Sequence, residues 1–251
     1  MASDVSVERP AAGIALVRYN RPQSRNALDA AVRRDIAEHL NALAEDKEVR
    51  AVVLTGTDKV FAAGADLSEM SKLDAVGFHG LNTVKSWKAI GAFPKPLIAA
   101  VNGFALGGGL EICMACDLVV ADANAKFGLT EVRVGLIAGA GGLIRLPRRV
   151  PRMLATEMIL TGRRLSAEEA QNAGLVNRLA PAGEALEVAR KLADEILEGS
   201  PTSVRLSLQV MRETESIPDE LAACRLRLAA LDELLTSEDA TEGPMAFAQK
   251  R

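Results

Sequence analysis

Glu111 ends the stretch VNGFALGGGLE (101–111), in which an apolar run leads through Gly107, Gly108 and Gly109 directly to a carboxylate. Glycine loses the most backbone entropy on ordering, so three in a row suggest that the main chain must come close to something. An apolar strand, a glycine turn and a helix start leave unpaired N–H groups at the helix N-terminus. Those donors suit a phosphate or a developing oxyanion, and tight backbone packing is the alternative reading. A Walker loop is excluded because no Lys-Ser or Lys-Thr follows, and G-x-G-x-x-G cannot be placed on residues 107–112. A second loop of small residues, FAAGADLSEM (61–70), also runs from a strand into a helix near Asp66. Two such loops can aim two backbone N–H groups at one oxygen. That is an oxyanion hole, in which one lost donor costs about 2.7–4 kcal/mol of transition-state stabilisation.

The acid–base groups available to such a site are few. His39 and His79 are the only histidines; His39 falls mid-helix, and His79 follows Phe78 without a nucleophile signature. A pair of carboxylates is the more economical choice. Glu111 lies one turn into the helix that starts at the glycines. Glu131, in KFGLTEVRVGL (126–136), comes 20 residues later, past a further strand, so the chain can return it to the same place. Cys113 and Cys116 form a C-x-x-C, but zinc needs two more ligands, and only Cys224, the two histidines and carboxylates remain. The spacing reads as two small apolar residues on one helix face. No metal site is expected.

The elements that must position these groups alternate between strand and helix up to about residue 150. GIALVRYN (13–20) reads as a strand turning at Asn20-Arg21-Pro22, LDAAVRRDIAEHLNALAED (28–46) as a helix capped by Asp29, and RAVVLTG (50–56) as a buried strand. A helix over FHGLNTVKSWKAIGAF (78–93) leads to the strand PLIAAVNG (96–103), then to the glycine-started helix ending near Cys116 and the strand DLVVAD (117–122). This predicts a mixed α/β fold. Beyond residue 150 the pattern turns helical over 151–161, 166–173, 184–198, 201–213 and 218–236, with GLVNRL (174–179) as the remaining strand. The helical region ends in a break at Gly243-Pro244 and a short amphipathic tail.

With 251 residues, 49% apolar and 25% charged, the chain builds one sizeable core. A net charge of −3 advertises neither a nucleic acid nor an anionic membrane as partner. No stretch is long and apolar enough to span a bilayer, and MASDVSVERP lacks a signal peptide's apolar stretch, so a cytoplasmic location is expected.

Taken together, NRPQSRNAL (20–28), VVLTG (52–56), FAAGADLSEM, KPLIAAVNGFALGGGLEICMACDLVVA (95–121), KFGLTEVRVGL, AGAGGLIRLPR (138–148), ILTGRRLSAEEA (159–170), GLVNRL and EGPMAFAQKR (242–251) resemble the crotonase (enoyl-CoA hydratase/isomerase) superfamily over essentially the whole length. The resemblance implies a spiral of ββα units over residues 1–195. It also implies a helical trimerisation region over 196–251, assembled as a homotrimer or as a hexamer made of two trimers. It implies an acyl-CoA thioester as substrate, in fatty-acid or related acyl-CoA metabolism, with coenzyme A as part of that substrate and no separate cofactor. The oxyanion donors would be the backbone N–H groups of Ala65 and Gly108. Glu111 and Glu131 fall where hydratases carry their catalytic glutamates, Glu111 to activate water and Glu131 to supply the α-carbon proton. Ala63, Asp66, Leu67 and Ser68 would line the coenzyme A path, with Lys250 near its nucleotide end.

Isomerases of this superfamily commonly lack one of the two acids, so the pair favours water addition over an enoyl-CoA isomerase reading. Leu143-Ile144 stand where many hydratases read Thr-Gln, which leaves the acyl preference open. GGLIRLP, GRRLSAEEA and SEDATEGPMAFAQKR resemble the carnitinyl-CoA dehydratase branch, so a substituted acyl group is a further reading. Some relatives also bind RNA, and Arg145, Arg148, Arg149 and Arg152 are the local basic feature that would serve it; a solvated helix face is the preferred account of that cluster.

Overall fold

RAVVLTG and PLIAAVNG are continuous apolar runs because the sheet they enter is covered on both faces. The computed structural model describes residues 4–81 and 83–250. Its strands are β1 (Val5–Ala11), β2 (Gly13–Tyr19), β3 (Val49–Thr55), β4 (Val60–Ala62), β5 (Leu97–Val101), β6 (Phe104–Leu106), β7 (Leu118–Asp122), β8 (Lys126–Gly128), β9 (Leu165–Ser166) and β10 (Arg178–Ala180). The helices are α1 (Ala30–Glu45), α2 (Leu67–Met70), α3 (Ala75–Gly80), α4 (Thr83–Gly91), α5 (Gly108–Ala115), α6 (Gly142–Arg149), α7 (Arg152–Thr161), α8 (Ala167–Asn172), α9 (Ala185–Leu197), α10 (Pro201–Thr214), α11 (Glu220–Leu235) and α12 (Glu238–Ala248).

From β3 to β8 successive strands alternate between two sheets. A six-stranded sheet has the order β1-β2-β3-β5-β7-β10 and a four-stranded sheet the order β4-β6-β8-β9. All neighbours in the large sheet run parallel except β1 and β2, and β4, β6 and β8 are parallel in the small one. The chain thus visits the large sheet, then the small sheet, then a helix, and repeats. Alternation along β3 shows the two covered faces. Val52 and Leu54 join the core shared with α1 and α5, while Ala51 and Val53 pack under Ala185, Ala189 and Ala193 of α9. Between the sheets, the Tyr19 and Phe61 rings meet edge to face at 5.6 Å.

Asp29 caps α1 as expected, accepting from the Val32 N–H. Other expectations need correction. The helix expected over 78–93 is two, α3 and α4, with α3 ending at Gly80; glycine in a helix interior weakens it relative to alanine. The break expected at Gly243-Pro244 is absent, because α12 runs through both residues. An interior proline costs a helix roughly 3 kcal/mol. Here Ser237 caps the helix, and Asp239 in its first turn accepts from the Ser200 hydroxyl and the Thr202 N–H. That anchorage overrides the local preference. Among the described residues no helix is long and apolar enough to cross a membrane.

Candidate active site

Three parallel neighbours of the small sheet, β4, β6 and β8, end on the same edge, and the segments that leave them carry the predicted site. Ala65 follows β4, Gly107 and Gly108 follow β6, and Glu131 follows β8 at the start of a short 3₁₀ turn, Glu131–Val134. The glycine run is explained by crowding at this junction. Gly107 has φ +52°, and a Cβ there would stand 3.1 Å from Glu131 Oε1; a Cβ on Gly109 would stand 2.4 Å from the Ala62 carbonyl oxygen. A side chain at Gly109 would collide with main chain, and one at Gly107 would be strained by the positive φ.

Ala65 and Gly108 bring their N–H groups together. A Cβ on Gly108 would lie 3.8 Å from the Ala65 nitrogen, and one on Gly64 would lie 3.7 Å from the Gly108 nitrogen. Leu28 N donates to the Gly64 carbonyl at 2.8 Å and Asp66 N to the Leu28 carbonyl at 3.4 Å. That bridge consumes the groups flanking Ala65 and leaves its own N–H without an acceptor among the described residues. Gly108 N opens α5, where no intrahelical acceptor exists. The Leu28 side chain and the half-buried Trp87 ring of α4 close the site around Gly108. Buried Asn26 ties this edge together, its Nδ2 donating to the Val60 and Phe61 carbonyls and its Oδ1 accepting from Arg21 N.

Glu111 is 4% exposed, on a helix whose other residues are all buried and uncharged. Its Oε1 accepts from Ala140 N and Gly142 N, both at 2.7 Å, while its Oε2 has no donor among the described residues. Burial pushes its carboxyl from an ordinary value near 4.5 up to about 7, and the Glu131 charge adds to the rise. The two N–H bonds and the Arg145 charge act the other way. Burial also raises Glu131, whose Oε2 is enclosed with no hydrogen-bond partner among the described residues. The Glu131 charge reaches Glu111, which places the two carboxylates in one electrostatic environment.

The structure therefore brings Ala65, Gly108, Glu111 and Glu131 to one place. Ala63 lies half-buried beside them, and Leu67 and Ser68 are exposed on the rim at α2. Asp66 caps α2, accepting from the Ser68 hydroxyl and N–H and from Glu69 N, and the Ser68 hydroxyl holds its carboxyl below the usual range. Lys250 stands elsewhere, just beyond α12, which packs on α10 and α11. Cys113 and Cys116 are both core residues, as the small-apolar reading expects. Of the four clustered arginines, Arg148, Arg149 and Arg152 are exposed, but Arg145 is half-buried and turned back under the Ala140 carbonyl. That corrects the solvated-face reading for Arg145.

Sequence reasoning missed the partners of Glu111. The run AGAGG (138–142) held the signal, since small residues before a helix start leave N–H groups that a carboxylate can reach. The match to known proteins is extensive: a family model described as enoyl-CoA hydratase/isomerase fits residues 9–251. The chain belongs to that family. It is 41% identical over 242 residues to the 2,3-dehydroadipyl-CoA hydratase of Escherichia coli K12, covering 95% of this chain and 93% of the relative. It is 37% identical over 246 residues to the carnitinyl-CoA dehydratase of Salmonella typhi, covering 94% and 92%. The crystal structure of enoyl-CoA hydratase from Mycobacterium tuberculosis H37Rv superposes with a TM-score of 0.91 at 38% identity, covering 100% of this chain and 97% of that one. The enoyl-CoA hydratase from Bacillus anthracis gives 0.94 at 34% identity, covering 99% and 97%. The ββα spiral is thus the crotonase fold, and the chain is an enzyme of the enoyl-CoA hydratase type, a hydro-lyase.

Proposed function

We propose that this hydratase adds water reversibly across the 2,3 double bond of an enoyl-CoA thioester through Glu111 and Glu131, with the thioester oxygen held by the Ala65 and Gly108 N–H groups. The observation that carries this is the meeting of two N–H groups without an acceptor among the described residues with buried Glu111 and half-buried Glu131, whose charge acts on Glu111. The two donors draw electrons toward the carbonyl oxygen and leave the β-carbon electrophilic. Oε2 of Glu111 faces the attacking water while Oε1 stays fixed on Ala140 and Gly142. Burial raises both carboxyls, Glu111 to about 7, so a part of Glu111 is ionised near neutral pH. The N–H bonds favour charge on Glu111, and the unpartnered Oε2 of Glu131 favours the proton there. Glu111 then takes a proton from water as its oxygen attacks the β-carbon, and Glu131 protonates the α-carbon.

The test is a panel of enoyl-CoA thioesters with short, long, carboxylate-ended and ammonium-ended acyl groups, followed at the enone chromophore. Loss of the chromophore with formation of a 3-hydroxyacyl product is expected for at least one member. Migration of a double bond in a 3-enoyl thioester, with no hydration of any 2-enoyl thioester, would make the chain an isomerase instead.

The assembly we propose is a trimer or a pair of trimers, working in the cytoplasm in fatty-acid or related acyl-CoA metabolism. Supporting it, α11 and α12 bury no residue within one chain and expose Leu221, Leu228, Leu235, Met245 and Phe247. Faces of that kind in a stable protein call for a partner. Sedimentation velocity at micromolar concentration checks it, and a monomer there overturns it.

A further inference from the structure

Arg145 is a cation that the proposed reaction does not use, yet it sits one residue-length behind Glu111. Its Nη1 donates to the Ala140 carbonyl at 2.9 Å, and the N–H of the same residue donates to Glu111 Oε1 at 2.7 Å. Gly141 turns the chain between Ala140 and Gly142 with φ +104°, and a Cβ there would stand 2.3 Å from Arg145 Nη1. The guanidinium thus occupies the space that any side chain at 141 would fill. On its other side, a Cβ on Gly91 at the end of α4 would stand 3.1 Å from Arg145 Nη2. Among the described residues no carboxylate lies within ion-pairing distance of Arg145. Its half-buried charge is spent on a main-chain turn rather than on an acid.

Asp117, at the far end of α5, shows the ordinary arrangement for comparison. Arg212 bonds both of its oxygens, at 2.7 and 2.8 Å, and Leu97 N donates to it as well. An acid kept for structure is met directly by a guanidinium. Glu111 is met only through the turn.

We infer that Arg145 is a positioning residue for hydration: by holding the Ala140 carbonyl it fixes the turn whose Ala140 and Gly142 N–H groups pin Oε1 of Glu111 and aim Oε2 at water. The inference rests on the proposed role of Glu111. The charged groups that act on Glu111 are Glu131 across the site and Arg145 on α6. Those that act on Arg145 are Glu111, Arg149 on the same helix and Glu215 beyond α10; the titratable Cys116 thiol after α5 also faces it, kept protonated by burial. Beside Arg145 lies a cavity of about 280 Å³, lined also by Asp117, Arg148, Arg149, Arg212 and Glu215.

Arg145→Ala and Arg145→Lys test this. In Arg145→Ala, kcat is expected to fall about 10- to 100-fold while KM stays near the native value, because misplacing a reacting group by about 1 Å costs that much. The acidic limb of the kcat profile should move to higher pH, since the lost cation favoured the Glu111 carboxylate. Added guanidinium should restore kcat toward native, and Arg145→Lys should keep the limb near its native place. Native kcat and an unmoved limb in Arg145→Ala overturn the inference. So does a kcat loss without a limb shift or guanidinium rescue, which marks a purely structural arginine. Infrared titration of the Glu111 carboxyl, as the difference between native and Glu111→Gln protein with and without Arg145→Ala, reads the coupling without activity. A Glu111→Gln variant with native turnover would sink the catalytic reading of Glu111, whereas an unmoved Glu111 titration on removing Arg145 would sink this one.

Discussion

At the ends of β4, β6 and β8 main-chain bonds fix the loop around Ala65 and Oε1 of Glu111, whereas α11 and α12 bury no residue of their own. Ala65, Gly108 and Glu111 are fixed by backbone bonds that few side-chain changes can disturb from a distance. The C-terminal helices instead present leucines and a phenylalanine outward, and α10 has Leu206 as its one buried residue among those described. The difference separates two kinds of completeness. The two carboxylates and the two N–H donors meet within one chain, whereas the C-terminal faces are what the proposed assembly would cover.

The largest effect expected breaks the first region. Glu111→Gln and Glu131→Gln should each lower hydration by several orders of magnitude, and the double variant should add little, because coupled catalytic groups are non-additive. Rates that multiply across the double-mutant cycle would show two independent sites. Next comes Gly108→Pro, which removes one proposed oxyanion donor and restricts φ. It should cost more than about 10-fold in kcat with thioester binding less affected. Unchanged turnover in a folded variant would remove Gly108 from the oxyanion hole.

A third prediction concerns stability. Glu111 is raised from near 4.5 to about 7 by burial, so the folded state binds its proton more tightly than the unfolded chain does. Its favourable contribution is complete below about pH 4.5 and is lost as pH rises through about 7. Glu111→Gln keeps an oxygen for the Ala140 and Gly142 N–H groups and carries no charge. The variant should therefore gain on native protein as pH rises, by up to about 3 kcal/mol at pH 8 and by little at pH 4. Denaturant midpoints at the two pH values measure it, and an equal difference at both would show that Glu111 ionises in the fold without penalty. Such a gain would mark the stability given up to keep a buried acid.

Much of this architecture is legible in the amino-acid sequence, for identifiable reasons. β3, β5 and β7 announce themselves because both faces of a parallel sheet are covered, and α1 shows its apolar spacing and its Asp29 cap. β4, β6 and β8 do not, since three residues are too few to show alternation. β1 hides because it is an edge strand whose polar residues and Pro10 suit exposure rather than burial. α6 begins with a glycine cap and contains Pro147, both weak helix signals. In the site, the residue types that matter are visible as Glu111, Glu131 and two glycine-bearing loops. Ala140, Gly142 and Arg145 are not, because the site depends on main-chain atoms that any residue possesses.

The smallest effect expected lies in the second region and sharpens the contrast. Lys250 is exposed and follows α12, on the face that the family resemblance places near the nucleotide end of coenzyme A. An exposed ammonium meeting a phosphate across water contributes about 0.2–1 kcal/mol and is screened by salt. Lys250→Ala should then raise KM by roughly two- to fivefold at low ionic strength, leave kcat unchanged, and lose its effect near 1 M salt. The separation matters because charge at the nucleotide end acts equally on the ground and transition states, which moves KM alone. A fall in kcat for Lys250→Ala would mean that the C-terminal segment reaches into the acid–base apparatus, and the division drawn between the two regions would fail. An effect on KM that persists at high salt would show a buried contact made in the assembly instead of a screened surface charge.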